Sequence, residues 1–298
     1  MPRALPPEPK VSILVISCNQ EAFIADAIKG AVEQDYANLE VVVSDDASTD
    51  RTRDIIAEFA ALYPGRVVPV LNTINKGITG NSNAGLAACT GDLVAYMGGD
   101  DILLPGKIAA QVEWFLARPE RVLCGHQVEI FYDDDSSPPR PLSRRLLSGK
   151  GPSEFIRGVV FAALSTMVRA DAIPKRGFDE RLKTVSDQKL WIDVMSKGGE
   201  FGYVPGIFAR HRRHSNNVTN SPLRQAHEVE RQAEIVAMEY PEHRRDARYS
   251  KSRHGLYDIG VVMLHAGRQS EARRRFLDAI KLDPLFLRSW VRLIQSYL

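Results

Sequence analysis

The chain has 298 residues, of which 44% are hydrophobic and 26% are charged, and its formal net charge is +2. This composition is typical of a globular protein with a sizeable core, and the near-neutral charge gives no reason to expect nucleic acid as a partner. Three widely separated cysteines, Cys18, Cys89 and Cys124, argue against a disulfide framework and for a reducing, cytoplasmic setting. No apolar run is long enough for a transmembrane helix or a signal peptide.

Strands and helices alternate through the first hundred residues. Short β-branched apolar runs predict buried strands, and apolar residues at helical spacing predict helices between them. The predicted strands span residues 11–17, 39–44, 66–71 and 92–97, and the predicted helices span 21–34, 50–63 and 81–90. Ser48, Thr49 and Asp50 are N-cap candidates for the second helix. This alternation predicts parallel strands covered by helices on both faces.

The pattern is less regular after residue 105. It predicts a helix over 107–119, a strand over 121–132, a polar, proline-rich loop over 133–141, a helix over 186–199 and a strand over 200–212. The stretch 155–173 mixes periods and supports no assignment.

From about residue 222 the sequence is helix-forming and arginine-rich. Tyr257–Pro284 resembles one tetratricopeptide-like helical unit, although a plain helical hairpin explains the same pattern and such repeats normally need about three copies. The segment Pro284–Leu298 is amphipathic, which is compatible either with contact to a membrane surface or with docking on the preceding helices.

Polar side chains follow each predicted strand of the first hundred residues. Because ligands of open parallel sheets bind beyond the carboxyl ends of the strands, these side chains are the candidate site. They are Ser17, Cys18 and Asn19, then Asp45 and Asp46, then Asn72, and finally Asp100 and Asp101 after the pair Gly98–Gly99. The glycine-rich fingerprints of dinucleotide and P-loop sites are absent from the sequence. Carboxylates reach phosphates through a hard divalent cation, so Mg²⁺ or Mn²⁺ is expected, and no His/Cys pattern has zinc spacing.

Several ordered segments resemble the large family 2 of glycosyltransferases, which have a GT-A fold. They are "VSILVISCNQEAFIADAIKGAVEQDYANLEVVVSDDASTDRT", "NKGITGNSNAG", "GDLVAYMGGDDILLP", "GFDERLKTVSDQKLWIDVMSKG" and "RHRRHSNNVT". The resemblance implies a GT-A-type α/β domain over residues 1–220, with a mostly parallel sheet flanked by helices. Its nucleotide-binding half would span about 10–105 and its acceptor half about 106–220. Residues 221–298 form a separate helical C-terminal region outside the resemblance.

The resemblance also implies roles for individual residues. Asp46 would accept the uracil imide N–H, Asn83 would order the nucleotide loop, and Asp187 would be the catalytic base. The base and ribose would contact Ile16, Ser17, Cys18 and Asn19, and the nucleotide would approach the backbone at Gly98 and Gly99. The metal or the diphosphate would be held by Asp100, Asp101, Arg212 and His214. The purely structural alternatives are an acidic turn at Asp100 and, for Asp187, stabilisation of the helix through its dipole.

This chain departs from the common pattern of that family at several positions. The family puts an aromatic residue at Cys18, proline at Ile16, arginine at Ser82, and an acid at Ser186 and often at Gly98. These changes bear on donor identity and metal affinity more than on fold.

The expected function is inverting transfer of a sugar from a nucleoside-diphosphate donor, UDP- or dTDP-linked, to a hydroxyl acceptor. A glycan, lipid-linked or protein acceptor at the cytoplasmic face of the membrane is expected, and the sequence carries no signal for the sugar, the linkage or the oligomeric state. One alternative is a sugar-nucleotide nucleotidyltransferase, which would need a basic, glycine-rich loop where this chain has "SCNQEAF". The other is a degenerate nucleotide-binding protein that recruits partners through its helical tail.

Overall fold

A computed structural model describes residues 3–133, 137–142, 147–158, 161–215, 217 and 220–297. The chain divides into two compact units. The sheet unit comprises Met1–Gly151, Val160–Glu180 and Asp193–His214, and the helical unit comprises Pro152–Val159, Arg181–Ile192 and Ser215–Leu298. The C-terminal helices therefore share their unit with two earlier segments, one of which contains the start of the helix that carries Asp187.

The sheet unit contains all ten described strands. They are β1 (Val11–Ser17), β2 (Leu39–Asp45), β3 (Val67–Leu71), β4 (Leu93–Gly98), β5 (Ile102–Leu103), β6 (Arg121–Tyr132), β7 (Arg140–Pro141), β8 (Gly149–Lys150), β9 (Met167–Arg169) and β10 (Glu200–Arg213). The order is β3-β2-β1-β4-β9-β6-β10-β5, with β7 paired to β6 and β8 to β10.

The first four strands pair in parallel, as the sequence predicts. β6 and β10 are also parallel, whereas β9 runs antiparallel to both β4 and β6. Consecutive residues of a strand point to opposite faces, and Val41, Val42 and Val43 are all fully buried, so both faces of β2 are covered. The sheet is therefore of the mostly parallel α/β type expected for a GT-A fold.

Eleven α-helices are seen among the described residues. They are α1 (Ile24–Val32), α2 (Thr52–Leu62), α3 (Gly77–Ala88), α4 (Lys107–Leu116), α5 (Ser153–Ile156), α6 (Ser186–Ser196), α7 (Pro222–Glu239), α8 (Arg244–Ser250), α9 (Tyr257–His265), α10 (Gln269–Leu282) and α11 (Leu287–Gln295). A π-helical turn, Lys251–Leu256, joins α8 to α9. Within the part of the chain that the structure describes, no helix is both long and apolar enough to cross a bilayer.

Three predicted features differ in detail from the structure. α3 begins at Gly77 instead of residue 81, because the side chain of Asn75 accepts the Gly77 N–H at 3.1 Å and starts the helix earlier. The unassigned stretch 155–173 contains the three-residue strand β9, which is too short to show a period. The predicted loop 133–141 lies partly outside the described residues, and its end, Arg140–Pro141, is an edge strand against β6.

The C-terminal helices form a small core of their own. Gly260 of α9 packs against the Phe276 ring of α10, since a Cβ at this glycine would lie 2.6 Å from Phe276 Cε1. Ile259, Met263 and Ile280 are buried around that contact. α9 and α10 therefore form a helical hairpin, which both interpretations of the sequence predict, and the likeness to a tetratricopeptide unit stays a prediction.

A lysine lies fully buried between α4 and the sheet. Lys107 Nζ donates to Gln111 Oε1 at 2.7 Å and to the Thr166 carbonyl at 3.4 Å, and burial lowers the pKa of Lys107 to about 7. Gln111 in turn donates to the Ser165 carbonyl at 2.9 Å and to Cys124 Sγ at 3.3 Å. This polar cluster makes the fold sensitive to pH.

The free energy of unfolding is expected to rise between about pH 7 and 9. The folded-state pKa of Lys107 lies below its unfolded value, so the unfolded chain binds more protons in this window and folding gains stability as the pH rises. Two pH units correspond to about 2 kcal/mol. Above about pH 9 the gain fades, because burial raises the pKa values of Cys89 and Cys124 to about 12 and these thiols act in the opposite direction.

Urea unfolding at several pH values measures this slope. Lys107→Met should flatten it, whereas Lys29→Met, which removes an exposed lysine of α1, should leave it unchanged. An equal slope in wild type and Lys107→Met would show that Lys107 does not titrate as described.

Candidate active site

The loops that follow β1, β2, β3 and β4 lie side by side at one edge of the sheet. Backbone hydrogen bonds continue past the strand ends, from Asp46 N to Ser17 O at 2.9 Å, from Gly99 N to Ile16 O at 2.8 Å and from Asn72 N to Asp45 O at 3.0 Å. Because the strands are parallel, their carboxyl ends meet at this edge. The structure thus brings together the polar residues that the sequence placed after each strand.

The two aspartates after β2 have different surroundings. Asp45 is fully buried and accepts the Ser48 N–H at 2.9 Å and the Ser48 hydroxyl, so it shapes the turn. Asp46 Oδ1 accepts the N–H of Lys76 at 2.7 Å, which fixes the loop after β3 beside the loop after β2. Ala47, which follows Asp46, has a positive φ of 57°, an uncommon conformation for alanine. This tight turn places Asp46 at the carboxyl edge of the sheet.

Cys18 and Asn19 link the loop after β1 to these residues. Cys18 is exposed at the surface, and its sulfur accepts from Asn75 Nδ2 at 3.5 Å. Partial loss of solvent around the sulfur and the charge of Asp46 raise the pKa of this thiol. Asn19, at φ 51°, donates its N–H to Ser48 Oγ at 2.7 Å and accepts the Thr49 N–H at 2.8 Å. Asn19 therefore joins the loops after β1 and β2 through hydrogen bonds. Cys18 presents a small uncharged side chain at this edge of the sheet.

Two asparagines of α3 have distinct positions. Asn83 donates to the Phe178 carbonyl at 3.0 Å and accepts the Phe178 N–H at 2.8 Å, so it holds the segment before α6. Asn81 instead joins the strand ends: it donates to the carbonyls of Ser17 and Ser44 at 3.2 and 3.0 Å and accepts from Asn72 at 2.9 Å. The residue that orders the strand-end loops in this structure is Asn81, which the sequence did not single out.

The two glycines at the end of β4 lie close to other side chains of the chain. A Cβ at Gly98 would lie 2.6 Å from Asp100 Oδ1, and a Cβ at Gly99 would lie 2.5 Å from Gln20 Oε1 and 2.8 Å from Ile24 Cδ1. The Asp100 carboxylate therefore occupies the space beside residue 98. An acid at position 98 would compete with Asp100 for this space.

Asp100 and Asp101 each contact a histidine at the end of β10. His214 Nε2 lies 3.0 Å from Asp100 Oδ2, and His211 Nδ1 lies 2.9 Å from Asp101 Oδ1. Asp101 also accepts the Arg212 N–H at 3.2 Å, and burial raises the pKa of this carboxyl. The His214 ring stacks on Phe23 with centroids 4.7 Å apart. The side chains of Asp100, His214 and His211 are each less than one-fifth exposed, and Asp101 is the most buried of the four.

Arg212 is buried and its guanidinium is occupied by groups of the chain. Nε donates to the Asp100 carbonyl at 2.9 Å, and the two terminal nitrogens pair with Asp26, at 3.0 Å, and with Asp133. The guanidinium carbon lies 4.9 and 4.8 Å from the ring centroids of Phe23 and Phe131. This arrangement describes a positioning residue, which fixes the backbone at Asp100 and the ring under His214.

Arg212→Met is expected to lower the free energy of unfolding by about 2–3 kcal/mol, because it breaks a buried charge-assisted cluster. The value lies below that of a fully buried pair, since Asp26 and Asp133 are half-exposed and water can solvate them. Arg210→Met in the same strand removes a surface pair with Glu129 at 2.8 Å and should cost less than about 1 kcal/mol.

Urea unfolding compares the two variants. If Arg212→Met unfolds like wild type but loses nucleotide affinity, Arg212 is a phosphate ligand and the positioning role is wrong.

The strand-edge residues fit a divalent metal that a ligand also helps to hold. Among the described residues, no group of three or more His, Cys, Asp or Glu side chains is placed to bind a metal by itself. The 3.0 Å separation of Asp100 Oδ2 and His214 Nε2 is nevertheless that of adjacent ligands of an octahedral ion, which for bonds of about 2.1 Å lie about 3 Å apart. Two protein donors leave positions for phosphate oxygens and water, as is usual for Mg²⁺ at nucleotide sites.

Asp187 lies in the helical unit, in the first turn of α6, where its Oδ1 accepts the Gln188 N–H at 2.8 Å. Glu228 of α7 accepts the Thr184 N–H at 3.1 Å just before this helix, and Lys189 Nζ pairs with Glu239 at 3.0 Å. Both contacts hold the start of α6 on α7. The helix ends as predicted, because Gly198 and Gly199 both have positive φ.

His211, Phe23 and Asn81 are site residues that sequence reasoning missed. His211 belongs to the basic cluster 210–214, in which only Arg212 and His214 were selected. Strand alternation gave no reason to choose it, because its partner Asp101 is 110 residues away. Asn81 is the first residue of the predicted helix 81–90, whereas in the structure it is a buried residue in the second turn of α3.

Comparison with known proteins points to one family. The sequence profile of "Glycosyl transferase family 2" matches residues 12–176. A protein of Mycobacterium tuberculosis (strain ATCC 25618 / H37Rv) described as uncharacterized is 34% identical over 222 residues, which is 71% of this chain and 61% of that protein. The chain therefore spans about 61% of the length of this curated relative.

Two solved glycosyltransferase structures share the fold. S. aureus TarS residues 1–349, in complex with UDP-GlcNAc, superimposes with a TM-score of 0.70 at 16% identity and covers 97% of this chain and 89% of that one. The mannosyltransferase PcManGT from Pyrobaculum calidifontis, in complex with GDP-Man and Mn²⁺, has a TM-score of 0.62 at 18% identity and covers 100% of this chain and 88% of that one.

Proposed function

The chain belongs to glycosyl transferase family 2, and from this premise we propose that it moves a sugar, with inversion, from a nucleoside-diphosphate donor to a hydroxyl acceptor. The observation that carries the proposal is the Asp100–His214 pair at the carboxyl edge of β4 and β10, 3.0 Å apart and next to the loops after β1 and β2. A nucleotide bound in those loops would bring its diphosphate to this pair.

The base and ribose of the donor would bind along the loops after β1 and β2. Asp46 Oδ1 accepts the Lys76 N–H, and we propose that Oδ2 accepts an imide N–H of the base. Uracil and thymine both have such an imide N–H. Ile16, Ser17, Cys18 and Asn19 line the neighbouring loop. TarS, solved with UDP-GlcNAc, supports a UDP donor, and we propose UDP- or dTDP-linked sugars for this chain.

Asp100 and His214 would hold a divalent ion together with the donor's diphosphate. An ion held there would supply positive charge to neutralise the leaving diphosphate. An imidazole beside a carboxylate favours Mn²⁺ over Mg²⁺, which prefers an all-oxygen set. PcManGT, solved with GDP-Man and Mn²⁺, supports this assignment. Asp101 and His211 would keep Asp100 in place, as would the contact of Arg212 with the Asp100 carbonyl.

Asp187 would act as the general base. The acceptor hydroxyl must lose its proton as its oxygen attacks the anomeric carbon, and one positioned carboxylate can take that proton. The new bond joins the acceptor oxygen to the anomeric carbon, and the nucleoside diphosphate leaves from the opposite side. We propose a glycan, lipid-linked or protein hydroxyl as the acceptor, in polysaccharide, glycolipid or glycoprotein assembly.

Release of free nucleoside diphosphate from a panel of nucleotide sugars tests the proposal. Purified protein with Mn²⁺ should hydrolyse one UDP- or dTDP-sugar slowly in the absence of acceptor, and hydrolysis should stop when the metal is chelated. Formation of a nucleotide sugar from a nucleoside triphosphate and a sugar phosphate would instead identify a nucleotidyltransferase. Nucleotide binding without turnover of any donor would identify a binding protein.

A further inference from the structure

The last helix of the helical unit directs its apolar side chains outward. Along α11 and the residues beside it, six large apolar residues are exposed: Leu285 at 85%, Leu287 at 72%, Trp290 at 44%, Val291 at 53%, Ile294 at 63% and Tyr297 at 66%. The buried residues of α11 are Ser289 and Leu293, and Ser296, directly after the helix, is also buried. An amphipathic helix of a globular protein normally does the reverse, with its apolar stripe toward the core.

These exposed residues form one continuous face. Positions 287, 290, 291, 294 and 297 follow the spacing of three and four residues that lines one side of a helix. The buried positions 289, 293 and 296 line the opposite side, where Arg273 of α10 donates to the Ser296 carbonyl at 2.7 Å. The outward direction of the apolar face is therefore fixed by contacts within the helical unit. We call the exposed residues 285, 287, 290, 291, 294 and 297 the α11 face.

Positive charge borders the α11 face on one side. By helical spacing, Arg288 and Arg292 lie beside the apolar side chains on one flank of the helix. The segment 284–298 contains no acidic residue. The Arg273 guanidinium lies 4.1 Å from the Tyr297 ring centroid at the same end. A tryptophan, a tyrosine and aliphatic residues on one face, with arginines beside them, are the combination found in helices that lie in the interface of a bilayer.

We propose that the α11 face docks on the surface of an anionic lipid bilayer, with its apolar residues at the level of the headgroups and Arg288 and Arg292 against lipid phosphates. Long arginine side chains can reach the headgroups while their stems stay apolar. The alternative occupant, a second copy of this chain, is less compatible with the size of the patch. A stable protein interface uses about 20–30 residues on each side, far more than these six. The proposal concerns attachment and does not rest on the proposed function.

Co-sedimentation of the full chain with vesicles tests the docking surface. Wild type should bind vesicles of phosphatidylcholine with phosphatidylglycerol more strongly than vesicles of phosphatidylcholine alone. Val291→Ser with Ile294→Ser should weaken partitioning by about tenfold, because two exposed apolar side chains of the face are lost. Arg288→Gln should weaken binding to the anionic vesicles by about fivefold and leave binding to neutral vesicles unchanged.

A matched control removes two apolar residues of similar exposure elsewhere. Leu62→Ser with Met238→Ser alters the ends of α2 and α7 and should bind vesicles like wild type. Tryptophan fluorescence of the full chain gives a second readout, which does not depend on how the α11 variant folds. The difference between the emission spectra of wild type and Trp290→Phe reports Trp290, and it should shift to the blue when anionic vesicles are added.

Three results would overturn the proposal. The first is wild type that does not sediment with anionic vesicles. The second is equal binding by wild type and the Val291→Ser, Ile294→Ser variant. The third is a concentration-dependent dimer of wild type in solution that this variant abolishes, because the face would then be a contact between copies.

Discussion

Asp187→Asn is expected to reduce the rate of sugar transfer by about 10²–10⁴-fold, the usual contribution of a positioned general base. The amide has nearly the same shape but cannot take the acceptor proton. Donor binding should be unchanged, because the proposed donor contacts lie in the sheet unit. A transfer assay with the donor found in the panel, paired with a UDP titration, separates the rate from the affinity.

A purely structural role for Asp187 predicts a different result. An acid in the first turn of a helix stabilises the helix by about 0.3–1 kcal/mol through the helix dipole. If that is its only role, Asp187→Asn will lower stability slightly and keep the full transfer rate. Gln188→Ala is the matched control, since it alters the neighbouring residue of the same turn and leaves the proposed base intact. It should transfer sugar at close to the wild-type rate.

Asp100→Ala is expected to lower kcat/KM by about 10²–10³-fold and to remove the dependence of donor binding on Mn²⁺. The variant loses the carboxylate of the Asp100–His214 pair, and the stabilisation of the leaving group, worth about 3–4 kcal/mol at comparable sites, is lost with it. The fold should persist, because the backbone carbonyl that Arg212 Nε contacts at 2.9 Å remains. Steady-state kinetics over a Mn²⁺ titration measure both effects.

Asp54→Ala serves as the control for Asp100, because it removes another carboxylate of the sheet unit, in the first turn of α2. Its Mn²⁺ titration should match that of wild type. An unchanged metal response in Asp100→Ala would mean that the acidic residues after β4 form only a turn.

The nucleotide-binding half of the fold could be predicted from the sequence because its signals are local. β1 and β2 are short apolar runs rich in β-branched residues, and the strand predicted over 66–71 coincides with β3 to within one residue. β9 could not be found, because three residues carry no period and its place between β4 and β6 depends on long-range pairing. α3 was placed four residues late because its first turn contains Gly77 and Gly80, and glycine is a poor helix former.

The candidate site was only partly accessible from the sequence. Position after a strand pointed to Asp46 and Asp100, since parallel strands end at a common edge. The partners of these residues come from elsewhere: His214 is 114 residues from Asp100, and only the family resemblance suggested it. The enclosure of Arg212 by Asp26, Asp133 and two phenylalanine rings depends on tertiary packing that no local pattern records.

The role of the two glycines at the end of β4 stays a prediction, but the structure shows what lies beside them. The sequence suggested that they leave room for the nucleotide to approach the backbone. In the structure the space beside Gly98 is taken by the Asp100 carboxylate, and that beside Gly99 by Gln20 and Ile24. Glycine at position 98, in place of an acid, therefore leaves this space to the Asp100 carboxylate, which lies next to His214.

Calorimetric titration of UDP into the wild-type protein, with saturating Mn²⁺ and with a chelator, tests whether the nucleotide site depends on a metal. Binding is expected to be at least about tenfold tighter with the metal, a coupling of ordinary size between two ligands that share a site. Equal affinity under the two conditions, or no UDP binding under either, would contradict a metal-assisted nucleotide site at the carboxyl edge of the sheet.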